Sequence, residues 1–206
     1  MSQSPKRSAG PAPALSAQDW VRAALRLIAR EGVAAVAVEP LARELGVTKG
    51  SFYWHFANRD ALIQAALAAW EADQGRDVVI RYEGIADSRK RLRVIMFAAF
   101  EDQENGRLFA ALSASSEDPR VNPYLARASE QRLALGIRSL TALGLPEEEA
   151  RRKALALYAA YAGYFQLQRA MPEAVARVTD LSAFVRDLVD ALLPDDPAPE
   201  PSTPPA

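Results

Sequence analysis

The residues with most capacity for chemistry lie between Thr48 and Arg59 of this 206-residue chain. Lys49, Gly50, Tyr53, Trp54 and His55 offer one cation, one position of bare backbone and three aromatic rings with polar atoms. Phe52 and Phe56 stand four residues apart and can turn inward together on a helix, leaving the others outward. A short helix with that outer face, braced by a second helix, meets the requirements for entering a DNA major groove. Metal and nucleophile chemistry find less support. His55 is the only histidine and there is no cysteine, so a metal site lacks His or Cys partners and no metal is expected. A Ser-His pair has no supporting motif. A Gly-rich phosphate loop, an HExxH spacing and a nucleophile elbow are all missing from the sequence. The chain is therefore expected not to be an enzyme and to need no cofactor.

These residues require a positioning frame, and the stretch before them supplies one. Val38, Leu41, Ala42 and Leu45 form a helical stripe that Gly46, free to adopt positive φ, should stop. The Thr48 hydroxyl is expected to cap the next helix. Upstream, Ser16 can cap a first helix with Val21, Ala24, Leu25 and Ile28 on one face, ending at Gly32. Downstream, Asn58 can cap a fourth helix with Leu62, Ile63, Ala66, Leu67 and Trp70 inward, reaching about Gly75. Residues Val78 to Asp87 break the pattern and read as a connector.

The remainder also reads as helix: Ser88 to about Glu104, Gly106 to Ser115, Pro123 to Leu143, Pro146 to Ala170 and Asp180 to Leu193. The fold class is all-α. The ends, residues 1–15 and 194–206, are rich in Pro, Ser and Ala and are expected to be disordered tails. Between them we expect a helix-turn-helix domain at 16–57 and a linking helix with a larger helical domain at 58–193.

Net charge is near zero, with 25 basic and 26 acidic residues, so a DNA-facing surface must come from local asymmetry. Residues 1–60 provide it, with eight basic side chains against five acidic ones. No run approaches the roughly 18 apolar residues of a membrane span, and no secretory signal is present at the start. The expectation is a cytoplasmic protein without membrane contact.

In the C-terminal half, aromatic residues recur at helical spacing with polar neighbours. Phe97, Phe100 and Glu101 from one helix and Tyr161, Tyr164, Phe165 and Gln168 from another could wall a mostly apolar pocket with a few polar anchors. The same residues would equally serve as plain core. The helix Pro146 to Ala170 has Leu155, Ala159 and Ala162 on one side and Leu157, Tyr161 and Tyr164 on another. A helix apolar on two faces needs two partners, which points to a homodimer through this helix and the last one.

The segment Gly46-Val47-Thr48-Lys49-Gly50-Ser51-Phe52-Tyr53-Trp54-His55-Phe56, followed by Asn58-Arg59-Asp60-Ala61-Leu62, resembles the signature of the tetracycline-repressor (TetR/AcrR) family of bacterial transcription regulators. The likeness runs from Ser16 to about Leu67, a quarter of the chain. It implies a three-helix DNA-binding domain, a linking helix and a larger effector-binding and dimerisation domain. It also implies that Thr48 touches a phosphate and that Lys49 and Gly50 approach base edges or backbone. Tyr53, Trp54 and His55 would clasp phosphates or bases, and Arg59 a phosphate. Ala37 departs from the pattern, since the family usually has Thr or Ser capping the first helix of the pair. That cap should be weaker by roughly 1 kcal/mol.

The function expected from all this is a ligand-responsive regulator, a repressor that binds a palindromic operator in double-stranded DNA as a dimer. A small organic effector would release it. The alternatives are an effector-free DNA-binding dimer controlled by abundance or a protein partner and, more distantly, a helical interaction module or an enzyme.

Overall fold

The computed structural model describes residues 15–82, 84–178 and 180–193, with backbone only at 74–81 and 178. The expected tails at 1–15 and 194–206 lie outside these residues apart from Leu15. Ten α-helices follow one another, with no strand among the described residues: α1 (Ala17–Glu31), α2 (Val38–Glu44), α3 (Lys49–Tyr53), α4 (Arg59–Tyr82), α5 (Ser88–Glu101), α6 (Gln103–Ser113), α7 (Asn122–Thr141), α8 (Glu147–Ala170), α9 (Pro172–Val178) and α10 (Leu181–Leu192).

The N-terminal core forms where α1, α2 and α3 point their apolar stripes at one another. Trp20, Ile28, Leu41 and Phe52 are fully buried there. Phe52 meets Trp20 edge-on at 5.3 Å and stacks on Phe56 at 5.7 Å. Gly32 and Gly46 take positive φ, 88° and 68°, which is what lets each preceding helix stop. The second of these makes the tight turn between α2 and α3.

Four boundaries differ from the sequence reading. The segment read as a connector at 78–87 is helical as far as Tyr82, so α4 runs on from the N-terminal domain well past Gly75. Three β-branched or apolar residues in a row (Val78, Val79, Ile80) look like a strand, but with no strand to pair with the helix continues through them. Helix α5 ends at Asp102, whose carboxylate accepts the Asn105 N–H and starts α6 there. Gly106, expected at a helix start, therefore lies inside α6. The short α9, not foreseen, begins at Pro172, where a missing N–H costs little.

The larger C-terminal domain is built around α8, which packs on α6, α7 and α10. Phe100, Tyr161, Tyr164, Phe165 and Phe184 make a cluster of ring contacts at centroid distances of 5.0 to 6.2 Å. Helix α1 also packs on α4 and α6, so the two domains share a boundary instead of hanging from a linker.

Candidate nucleic-acid interface and interior cavity

Helix α3 is one and a half turns long, and everything it does not bury is presented outward. Phe52 anchors it in the core at 0% exposure, while Tyr53 is 55% and Trp54 88% exposed. A tryptophan left that bare without a function is disfavoured, because its indole would gain by burial. His55 follows in a turn, its N–H donating to the Phe52 carbonyl at 2.9 Å. Gly50 is exposed, and a Cβ built on it would meet only Thr48 Oγ1 at 3.7 Å. Thr48 and Lys49 are exposed as well, and His55 is half-buried.

Two sequence expectations about this surface change. Thr48 sits at the N-cap of α3 with extended backbone, but its hydroxyl makes no capping hydrogen bond. Its carbonyl accepts from Ser51 N–H at 3.0 Å, and in a helix this short that backbone bond closes the turn. Arg59, expected on a phosphate, turns into the protein. Its Nε donates to the Val36 carbonyl, and Nη2 donates to the carbonyls of Val33 and Ala34 at 3.1 and 3.2 Å. Within the 3-10 turn the Val33 carbonyl also accepts from Val36 N–H at 3.3 Å, and the guanidinium fork reaches three carbonyls of this turn at once. Ala37 is the N-cap of α2 and supplies no side-chain bond, as the sequence indicated. The α1–α2 contact is held instead by Glu44, which accepts from Arg26 at 3.1 Å and Arg30 at 3.2 Å.

Lys49 is not isolated on the surface. Its Nζ lies 2.6 Å from Oε1 of Glu39, the second residue of α2, with both side chains more than half exposed. The hydrogen bond and charge of Glu39 raise the Lys49 pKa, and those of Lys49 lower the Glu39 pKa. Among the described residues no group of three or more His, Cys, Asp or Glu side chains is arranged to hold a metal ion.

The C-terminal domain holds a cavity of about 690 Å³, open on one side, between α4, α5, α6, α7 and α8. That is in the size range of small-molecule sites. Of the residues proposed for such a pocket, only Tyr161 lines it. Phe100 and Phe165 are fully buried in the ring cluster, and Tyr164 stacks on Phe184 at 5.7 Å. Phe97 borders a separate recess of about 260 Å³ beside Arg93 and Asp190. Glu101 is exposed, and Gln168 donates to Gln103 Oε1 at 2.8 Å. Ring packing decided the outcome: aromatic side chains on facing helices interlock with one another before they can wall a space.

The actual lining draws on smaller and more polar residues. Leu92, Ile95, Met96, Ala99, Leu135 and Leu157 make the apolar wall; Asp102, Asn105 and Arg132 stand in it with Trp70, Tyr158 and Tyr161. Trp70 Nε1 donates to Asn105 Oδ1 at 3.0 Å. The Arg132 guanidinium lies 5.0 Å from the Phe109 ring and 4.9 Å from that of Tyr161. Burial pushes the Tyr161 pKa up, opposed by the Arg132 charge. Arg132 had a sequence signal that went unread. It stands on the inward stripe Ala128, Arg132, Leu135, Ser139 of α7, a cation where apolar residues are the rule.

A family model described as bacterial regulatory proteins of the tetR family matches residues 21–66. The HTH-type transcriptional regulator BetI of Stenotrophomonas maltophilia is 29% identical over 148 residues, 69% of this chain and 75% of that protein. Residues 21–66 thus match the N-terminal domain of the TetR family. YerO of Bacillus subtilis, another HTH-type transcriptional regulator, is 39% identical over 46 residues, 22% of this chain and 16% of YerO. The matches to the first three curated relatives span only 16%, 24% and 39% of their lengths. The solved structure of the transcriptional regulator FadR from Bacillus subtilis, in complex with stearoyl-CoA, superposes with TM-score 0.66 at 15% identity, covering 86% of this chain and 98% of FadR. At that identity the likeness concerns the fold, here the TetR-family arrangement of an N-terminal helix-turn-helix domain on a larger helical domain. The relatives with printed functions are transcriptional regulators and not enzymes. No helix among the described residues is long and apolar enough to cross a membrane.

Proposed function

We propose that this TetR-family protein is a cytoplasmic repressor that binds a palindromic operator as a homodimer and leaves it when a small organic effector fills the cavity between α4, α5, α7 and α8. The contacts to DNA come from Thr48, Lys49, Gly50, Tyr53, Trp54 and His55, with Arg59 bracing them from behind. The domain limits at residues 57 and 58 belong to the same reading. They separate the reading head from the responding half.

One observation carries it. Helix α4 begins at Arg59, a short connection after the Trp54–His55 turn, and further along it Trp70, Asp73 and Tyr82 line the cavity. Leu25 of α1 lines it as well, so the linking helix and one helix of the DNA-binding half both border the ligand space. A ligand there shifts DNA affinity only if it prefers one arrangement of those helices, by about 1–3 kcal/mol for ordinary regulation. The lining favours an elongated or flat molecule, mostly apolar, with one polar end at Asp102, Asn105 and Arg132. That the FadR structure of the same fold holds stearoyl-CoA supports a ligand of this size class. The dimer is supported by α8, whose Leu155, Leu167 and neighbouring Met171 stay about half exposed while Leu157 and Tyr161 on its other side are buried.

The test is a thermal-shift screen of small organic molecules, with each hit assayed for release of a bound duplex. Leu135→Trp, which fills the cavity, should abolish both responses, whereas Phe97→Ala and Glu101→Ala should leave them unchanged. Hits that stabilise Leu135→Trp as well as the wild type would move the effector site elsewhere.

A further inference from the structure

Glu39 is hard to account for on a surface that faces a polyanion. It is 64% exposed in its side chain and lies on α2, yet its tip reaches the tip of Lys49, the first residue of α3. The first residues of a recognition helix are the ones that reach base edges. The tip of Glu39 is therefore held beside whatever Lys49 meets. A carboxylate is repelled by phosphates, and among groups in the major groove it can accept hydrogen bonds only from the exocyclic amines, cytosine N4 above all. Lysine has the opposite preference, donating to the O6 and N7 of guanine.

We infer that Glu39 and Lys49 act as one unit that reads a single G·C base pair in each half-site, Lys49 donating to guanine O6 or N7 and Glu39 accepting from cytosine N4. The geometry supports this directly. Within a G·C pair the N4 donor and the O6 acceptor are joined by a hydrogen bond of about 2.9 Å. Nζ of Lys49 and Oε1 of Glu39 are 2.6 Å apart, so the protein pair presents a donor and an acceptor at nearly the same spacing and in the complementary order. An exposed ion pair contributes only about 0–1 kcal/mol, so opening it to admit the base edges costs little. The pair also protects against the wrong partner. In an A·T pair the carboxylate could accept from adenine N6, but Lys49 would then meet thymine O4, a single acceptor flanked by the C5-methyl, in place of guanine's O6 and N7.

The inference rests on the reading of this face as the DNA surface, and the experiment separates the two. Full-length wild-type protein, Glu39→Ala and Lys49→Ala are each carried through selection from a randomised duplex pool, followed by affinity measurements on single-base variants of the wild-type consensus. The expected result is a palindromic consensus containing one G·C pair per half-site at which Glu39→Ala loses about tenfold discrimination. Lys49→Ala should relax the same position, and Glu39→Ala should bind unrelated duplex more tightly, since a negative charge is gone. An unchanged consensus with Glu39→Ala, or relaxation by the two variants at different positions, overturns the paired readout while leaving DNA binding intact. Wild-type protein that enriches no sequence overturns the DNA reading itself, and the pair with it. Both variants alter exposed side chains, and their melting temperatures, expected within a few degrees of wild type, show that they fold.

Discussion

Arg120 Nη1 lies 2.7 Å from Oδ1 of Asp60, a contact between residues sixty apart in sequence. Arg120 belongs to the turn between α6 and α7, and Asp60 to the first turn of α4. The same guanidinium holds Asp118 through Nε at 3.0 Å and Nη2 at 2.7 Å. One arginine thus fastens the turn between α6 and α7 to the start of the linking helix α4.

That fastening has a pH signature. Hydrogen bonds from Arg120 hold the Asp118 pKa down at about 2. A carboxyl depressed in the folded state stabilises fully above its unfolded pKa near 4 and loses the contribution as pH falls toward 2. Arg120→Ala should therefore cost about 1 kcal/mol at pH 7, discounted for the partial exposure of both groups. Urea midpoints of the two proteins should converge between pH 4 and pH 2. A gap that stays constant across that range would remove Asp118 from the account.

Exposure separates function from folding in α3. Trp54→Ala should leave the melting temperature unchanged and weaken duplex binding by about tenfold, the worth of one hydrogen bond to a charged group. Phe52→Ala, two residues away, should cost about 3–5 kcal/mol of stability instead, because it empties the space under Trp20. Melting curves and gel shifts on both variants make the comparison, and a Trp54→Ala protein that binds duplex like wild type would refute the contact.

Gly106 is required by packing. A Cβ built there would lie 2.0 Å from the Phe165 ring, which is itself fully buried. Gly106→Ala should destabilise by about 1–3 kcal/mol, as overpacked cores do. Phe165→Leu should rescue part of that loss, so the double variant should be more stable than the two single costs together allow. Strict additivity in denaturant melts would show that the ring moves aside freely.

The exposed side of α8 gives the dimer its test. Leu155→Glu and Leu167→Glu each place a charge on the surface expected to be covered. Sedimentation should find wild type dimeric at micromolar concentration and the variants monomeric, with helical content retained. A wild-type monomer that still binds duplex would contradict the proposed assembly.

The helices were legible because their stripes have a clear period and their stops are glycines: Gly32, Gly46 and Gly144 all take positive φ where a helix should end. The α3 surface was legible for the same reason, since Phe52 fixes which side is inward and the rest follows. What escaped depends on the third dimension. Arg59 and Arg120 look alike as surface cations, yet one closes a turn of backbone carbonyls and the other ties the α6–α7 turn to the start of α4. Periodicity does not locate the cavity, because it shows that Phe100 and Phe165 point inward without showing that they point at each other. Their rings stack at 6.2 Å and fill the space between them. Glu39 was counted only as a charge, because its meaning depends on Lys49 ten residues away across a turn.

The continuity of α4 sets how much motion regulation would require. Its 24 residues make a rod of about 36 Å with the recognition turn at one end and Tyr82 at the other. Tilting such a rod by about 5° about its cavity end carries the far end roughly 3 Å, close to the 3.4 Å step between successive bases on a strand. Under the proposed regulation, an effector would need to displace the cavity wall by no more than a side chain's play for the two reading heads of the proposed dimer to fall one base out of step with their site.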